Sequence, residues 1–227
     1  MGAKDEAARD KLPRALPRIS LHHGQALWVL TQLGFQGTAS ESTFKEYVKS
    51  LRKLGTPFAR GEVGPGRPSL ANYSYYHLME LALVLTLRVY HVVPNSVLTE
   101  LVQNRKRLYR LYGRAYTERC TGRGSRILLK IKNYAPVSVS GVFLDLQMNF
   151  SGGQLTSFGP ANLISPVQAI EIFTKSDVAP RSFLPIRLSL LAERVVALAL
   201  RAPLIRRGPR KKRSPARLRS LRKIMTA

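Results

Sequence analysis

Apolar residues recur at helical spacing through the first half of the chain and alternate at strand spacing in part of the second, so helices are expected first and strands later. From Ser20 onward, Leu21, Ala26, Leu27, Leu30 and Leu33 fall on one helical face, and Gly34 ends that helix in a turn to Phe35. Trp28 and Phe35 read as core. A second helix follows, capped by Ser40 or Ser42, with Phe44, Tyr47, Val48, Leu51 and Leu54 three and four residues apart and Gly55 as its stop. Its outward positions, Thr43, Lys45, Glu46, Lys49, Ser50, Arg52 and Lys53, form a mostly basic polar face. Two short helices joined across a glycine turn predict a helix-turn-helix. In residues 56–76, Gly61, Gly64, Pro65, Gly66 and Pro68 exclude a helix, and flanking Phe58 and Tyr73 predict a hairpin.

His77 to Tyr90 is apolar almost all round and predicts a core helix, broken before Pro94. One long helix is then expected from Val97 to about Arg119, capped by Asn95 or Ser96. Leu101, Leu108 and Ala115 are spaced by seven along it, with Val97 and Leu111 on the neighbouring seam. Its other faces carry Arg105, Lys106, Arg107, Arg110 and Arg114. That seam predicts a homodimer through Val97, Leu101, Leu108, Leu111 and Ala115; the competing expectation is that it packs on residues 127–200 of the same chain. Arg126–Asn133 and Val142–Phe150 alternate like half-buried strands, and Gly152-Gly153 predicts a tight hairpin. Pro166 starts a short helix to Phe173, and Ser182 to Leu200 predicts a last apolar helix.

The expected fold class is therefore α+β, mainly α: an N-terminal winged helix-turn-helix, a long linking helix, a small C-terminal α/β element and a disordered basic tail. The expected division is a flexible leader at 1–18, a winged helix-turn-helix at 19–94, the long basic helix at 95–120, a β-hairpin-plus-helices unit at 121–200, and the tail at 201–227.

Charge adds a partner to this picture. The 227 residues carry 37 Lys and Arg against 13 Asp and Glu, a formal net charge of +24. Eleven of the cations lie between Arg201 and Lys223, a stretch without acids. Residues 41–126 hold 15 basic and 6 acidic residues, and residues 127–200 hold 6 and 4. Clustered cations gain free energy by displacing counterions from a polyanion, so nucleic acid is the expected partner. Composition does not separate DNA from RNA. No apolar run approaches the ~18–20 residues of a membrane span, so no membrane partner is expected. The first residues mix acids with bases and contain no apolar signal core, which predicts a cytoplasmic, nucleoid-associated protein.

Candidate chemistry is sparse. Cys120 is the single cysteine, and His22, His23, His77 and His91 share no metal-ligand spacing with it or with carboxylates. The acids are scattered singly, no Gly-x-Ser-x-Gly is present, and the glycine-rich 61–66 is not followed by Gly-Lys-Ser/Thr. No catalytic residue, metal or cofactor is expected, and a non-enzymatic protein is the reading.

The order helix, glycine turn, helix ending in Leu-Arg-Lys-Leu-Gly, Gly/Arg hairpin, Tyr-rich entry into an apolar helix, Pro break and basic helix resembles the winged-helix domain of MerR-like transcription regulators. Ser42-Thr43-Phe44-Lys45-Glu46-Tyr47 matches the start of the recognition helix, Leu54-Gly55 its exit and Gly61 to Tyr73 the wing. Tyr76-His77-Leu78 resembles the entry to the third helix, with His77 where the family usually has an acid. The resemblance covers about residues 20–119. It implies a dimeric transcription regulator that contacts duplex DNA through recognition helix and wing. The DNA-contacting set is then Ser42, Thr43, Lys45, Lys49, Arg52 and Lys53 on the helix and Arg60, Arg67, Tyr73 and Tyr75 at the wing. The composition of the tail adds Arg210, Lys211, Lys212 and Arg213. The chain departs from the family in a longer turn between the first two helices, an enlarged tip from Glu62 to Leu70, and Lys45 in place of the usual arginine. Residues 127–200 suggest no particular effector domain, so what is sensed, if anything, is not readable from them. The alternative is a non-enzymatic RNA-binding, nucleoid or mobile-element accessory protein that grips phosphates through the basic helix and tail.

Overall fold

The structure is a computed structural model that describes residues 15–58, 72–91, 93–121, 126–129, 137–151, 154–174 and 182–204. The first 14 residues, the tip of the expected wing with Arg60 and Arg67, and the tail from 205 onward lie outside the described residues.

Helix α1 spans His23–Gln32 and α2 spans Glu41–Lys53. The first closes as expected at Gly34, whose N–H donates to Thr31 O while Phe35 N donates to Leu30 O. Of the two candidate caps for α2, Ser40 serves: its side-chain oxygen accepts from Thr43 N at 3.2 Å. At the other end Gly55 N donates to Arg52 O and Thr56 N to Leu51 O, and Gly55 holds φ +87°, the left-handed turn that lets both orphan carbonyls be satisfied. Ser40→Ala is expected to lower stability by about 0.5–2 kcal/mol, read as a shift of the urea midpoint at unchanged slope. An unshifted midpoint would mean that the cap contributes nothing.

Helix α3, Tyr75–His91, is the centre of the molecule. Leu78, Met79, Leu81, Ala82, Leu83, Val84, Leu85 and Leu87 are all buried, which is why its sequence is apolar on every face. The single long basic helix expected next is instead two, α4 Asn95–Gln103 and α5 Arg105–Thr121. The break falls on Asn104, whose backbone leaves the helical region (φ −89°, ψ 11°) and whose side-chain amide donates back to Glu100 O at 3.2 Å. Asparagine competes for backbone groups in this way, which makes it a poor residue inside a helix.

Among the described residues the strands form two small antiparallel sheets. β1 Arg126–Leu129 pairs with β2 Val137–Ser140, a strand the alternation did not reveal. β3 Phe143–Ser151 is the axis of the second sheet. β4 Gln154–Phe158 and β5 Asn162–Ile164 share one of its edges, and β6 Ser182–Ile186 takes the other. The register shows this directly, since Leu144 faces Leu163 of β5 and Ile186 of β6. Helix α6, Pro166–Thr174, starts at the expected proline. The expected helix from Ser182 begins late: Ser182–Ile186 is β6, and α7 covers Leu188–Arg201. Pro185 lacks the N–H a helix interior needs, and β3 offers this segment a ladder instead.

Helix α7 packs on α1, α3 and α5 as well as on β3. One apolar cluster consequently runs from Leu21 to Ala199, and the expected boundaries at 94/95 and 120/121 do not separate independent cores. The same packing corrects the expected dimer seam. Val97, Leu101, Leu108 and Ala115 are buried within the chain, and half-buried Leu111 packs against the same core. Strand β4 lies on α4, where Phe158 N donates to Glu100 Oε2 at 2.9 Å, and α7 lies on α5, where Arg119 pairs with Glu193. The seam is thus covered by residues 127–200 of its own chain. No helix among the described residues is long and apolar enough to cross a membrane.

Candidate nucleic-acid interface

Helix α2 is fixed from its apolar side. Phe44, Val48 and Leu51 are buried to within 3% exposure, so the face that remains is set by the helical period alone. Ser42, Thr43, Lys45, Lys49 and Lys53 are all exposed on that face, together with Glu41, Glu46 and Ser50. At its N-terminus the Ser40 hydroxyl lies 2.9 Å from Ser42 Oγ and 2.8 Å from Thr43 Oγ1, which holds three hydroxyls in one exposed group. Lys45 Nζ lies 2.5 Å from Glu41 Oε1 and Lys49 Nζ 3.1 Å from Glu46 Oε2. The hydrogen bond and charge of Lys45 hold the Glu41 carboxyl below its ordinary range. Both pairs are open to water, where such contacts contribute little, and the lysines can exchange them for stronger partners.

Arg52 departs from the expected outward pose. Its guanidinium carbon stands 5.7 Å from the centre of the Phe58 ring, a cation–π contact that turns it toward the start of segment 59–71. Phe58 in turn meets Tyr73 edge-on at 4.9 Å between ring centroids. Leu21 and Tyr73 exchange backbone bonds, Leu21 N to Tyr73 O at 3.0 Å and Tyr73 N to Leu21 O at 2.7 Å. The chain therefore leaves at Phe58 and returns at Tyr73 at nearly one point beside α2.

The two tyrosines expected to touch DNA are corrected here. Tyr73 is fully buried, with its hydroxyl 2.9 Å from His23 Nδ1, and burial raises its pKa. Tyr75 is buried as well, and its hydroxyl donates to Tyr112 O at 2.9 Å. Each large ring fills the core under α2 and α3, so neither reaches a ligand outside. His23 is held below the ordinary imidazole range by burial first, then by the charges of Arg52 and Lys45. Arg60, Arg67, Arg210, Lys211, Lys212 and Arg213 lie outside the described residues.

Two features were missed from the sequence. Half-buried Trp28 packs against the core as expected and also forms part of the wall of a 390 Å³ groove between α1 and α2, with Leu27, Thr31, Phe44 and Lys45 also lining it, and this groove was not foreseen. Glu80, read as one scattered acid, is buried in α3. Its carboxylate accepts from Arg105 Nε and Nη2, both at 2.8 Å, and from the Tyr109 hydroxyl at 3.0 Å. Arg105 Nη2 also donates to Gly55 O at 2.5 Å, which ties the exit of α2 to α3 and to the start of α5. A lone acid in an otherwise apolar helix was the available signal, because a buried carboxylate requires a partner. Among the described residues no group of three His, Cys, Asp or Glu side chains is placed to hold a metal ion.

No protein-family model, curated protein or solved structure matches the chain.

Proposed function

We propose that the protein is a DNA-binding regulator of the MerR-like winged-helix type, with α2 as the helix that enters the major groove. One observation carries this reading: α2 is locked by its apolar face and sends Thr43, Lys45, Lys49 and Lys53 outward together, beside the point where segment 59–71 leaves and returns. A short helix held in this way presents side chains to base edges. Arg60 and Arg67, in segment 59–71, are assigned sequence-independent backbone contact from their charge in the sequence. Pairing of two subunits through the Val97–Ala115 seam is no part of the proposal, because that seam is buried in its own chain.

The test is selection from random duplexes at two salt concentrations, followed by binding of the selected site. Changing Lys45 and Lys49 to alanine is expected to weaken specific binding by about 1–3 kcal/mol for each base that a lysine reads. Unaltered affinity in that variant would overturn the assignment of α2. Uniform, salt-sensitive binding without a recovered site would favour the phosphate-gripping reading instead.

A further inference from the structure

Helix α5 is the second strongly charged surface among the described residues. At about 100° per residue, Lys106, Arg110, Arg114 and Arg107 fall within an arc of about 100° on one side of it. All four are exposed, while Leu108, Tyr112, Ala115 and Arg119 on the opposite side are buried. Arg107 donates to Asn162 Oδ1 at 2.9 Å and Arg114 pairs with Glu118 at 3.2 Å. Lys106 and Arg110 have no hydrogen-bond or ion-pair partner among the described residues. With Glu118 as its one acid, the stripe keeps most of its positive charge uncompensated.

Its position follows from Arg105. This first residue of α5 donates to the carbonyl of Gly55, the residue that ends α2, while Glu80 grips its guanidinium from α3. The stripe therefore begins one residue beyond the junction where the proposed recognition helix exits. It extends from Lys106 to Arg114, about 12 Å at 1.5 Å per residue, a length comparable with several base-pair rises of about 3.4 Å.

We propose that this face of α5 lies along the phosphate backbone of the duplex that α2 enters, as a second, sequence-independent contact. The inference rests on the DNA-binding reading above and adds a surface to it. The cations stand in a row on a helix anchored at both sides of its first turn, which suits a regular row of phosphates. They position the protein and read no bases.

The experiment compares three full-length proteins: native, Lys106→Ala with Arg110→Ala, and Lys45→Ala with Lys49→Ala. Each is titrated against a labelled mixed-sequence DNA duplex, the selected DNA site and an RNA duplex of the same sequence, over a range of salt. Alanine is a good residue at exposed helical positions, and unchanged circular dichroism confirms the fold. The α5 variant is expected to lose about 1.8 from the slope of log affinity against log salt, about 0.9 per phosphate contact. It should bind both DNA duplexes more weakly by the same factor, on the order of tens-fold at 0.1 M salt. An unchanged slope on DNA overturns the proposal, and an α2 variant that still loses the selected site would leave the recognition reading standing. A slope that falls on RNA and stays unchanged on DNA also overturns it and makes RNA the partner of α5. If the α2 variant binds as the native protein does while the slope of the α5 variant falls, the recognition reading fails and the backbone contact stands.

Discussion

Replacing Arg105 by alanine is expected to destabilise the protein by about 3–5 kcal/mol, the range for breaking a buried ion pair from one side. Three hydrogen bonds disappear together, two to the Glu80 carboxylate and one to the carbonyl of Gly55. Glu80 is 2% exposed, so its charge stays in the core without the guanidinium, while the Tyr109 hydroxyl still donates to it. Loss of the guanidinium's compensation for a buried carboxylate dominates the loss, which predicts a telling control. Glu80→Leu combined with Arg105→Met removes both charges and should recover most of the stability that Arg105→Ala loses, because an apolar pair of similar volume costs no charge desolvation. Urea denaturation of the native protein and these variants measures both effects. A loss under about 1 kcal/mol for Arg105→Ala would show that water replaces the guanidinium and that the junction is not the anchor of α2 and α5.

What was legible in the sequence is what depends on neighbours a few residues away. Ser40, the Phe44-Val48-Leu51 face and Gly55 specify α2 locally, and each does so through a hydrogen bond or a periodicity contained within about four residues. Helix α3 was legible because a segment apolar on all sides has one low-energy location, the core. The basic outward face of α2 was legible for the same reason, as the complement of its buried face. What was not legible depends on partners far along the chain. The seam from Val97 to Ala115 has the spacing of a dimer helix, and spacing carries no information on whether the cover comes from a second copy or from β4 and α7. Asn104 stands in the middle of that stretch, but its effect, two helices in place of one, depended on the Glu100 carbonyl it bonds. Tyr73 and Tyr75 sit in a polar, turn-rich stretch that suggests exposure, and their burial follows from Leu21, His23 and Tyr112, which lie tens of residues away in sequence. Ser182–Ile186 reads apolar in either state, and strand β3 decides between them.

Gly141→Ala is expected to produce a loss of similar size, about 3–5 kcal/mol, for a different reason. Gly141 precedes β3 with φ +101°, a conformation that strains any residue bearing a Cβ by about 1–3 kcal/mol. An added Cβ would also stand 2.1 Å from Ser189 Oγ and 3.1 Å from Ser189 Cβ, so the serine must move. Ser189 is itself buried. Its hydroxyl accepts from Val142 N at 3.1 Å and its backbone N–H donates to Val142 O at 3.3 Å, which fastens the first turn of α7 to the sheet. Displacing it leaves the Val142 N–H without a partner inside the protein, at about 1–3 kcal/mol. The two costs add, because one arises in the backbone of Gly141 and the other at Val142 and Ser189. At roughly 2–4 °C per kcal/mol for a chain of this size, thermal unfolding followed by near-ultraviolet circular dichroism should shift down by about 10 °C. The second change Ser189→Gly separates the terms: it removes the clash but neither the strained φ nor the missing bond, so little recovery is expected. Full recovery would mean that steric overlap alone fixes glycine at this position. Because α7 also closes over α1 and α3, the loss of this junction should lower the stability of the platform under α2 while leaving the outward face of α2 chemically unchanged. The folded fraction of the variant is accordingly expected to bind a selected DNA site with native affinity, and weaker binding per folded molecule would show that the sheet end of the protein also contributes to the DNA contact.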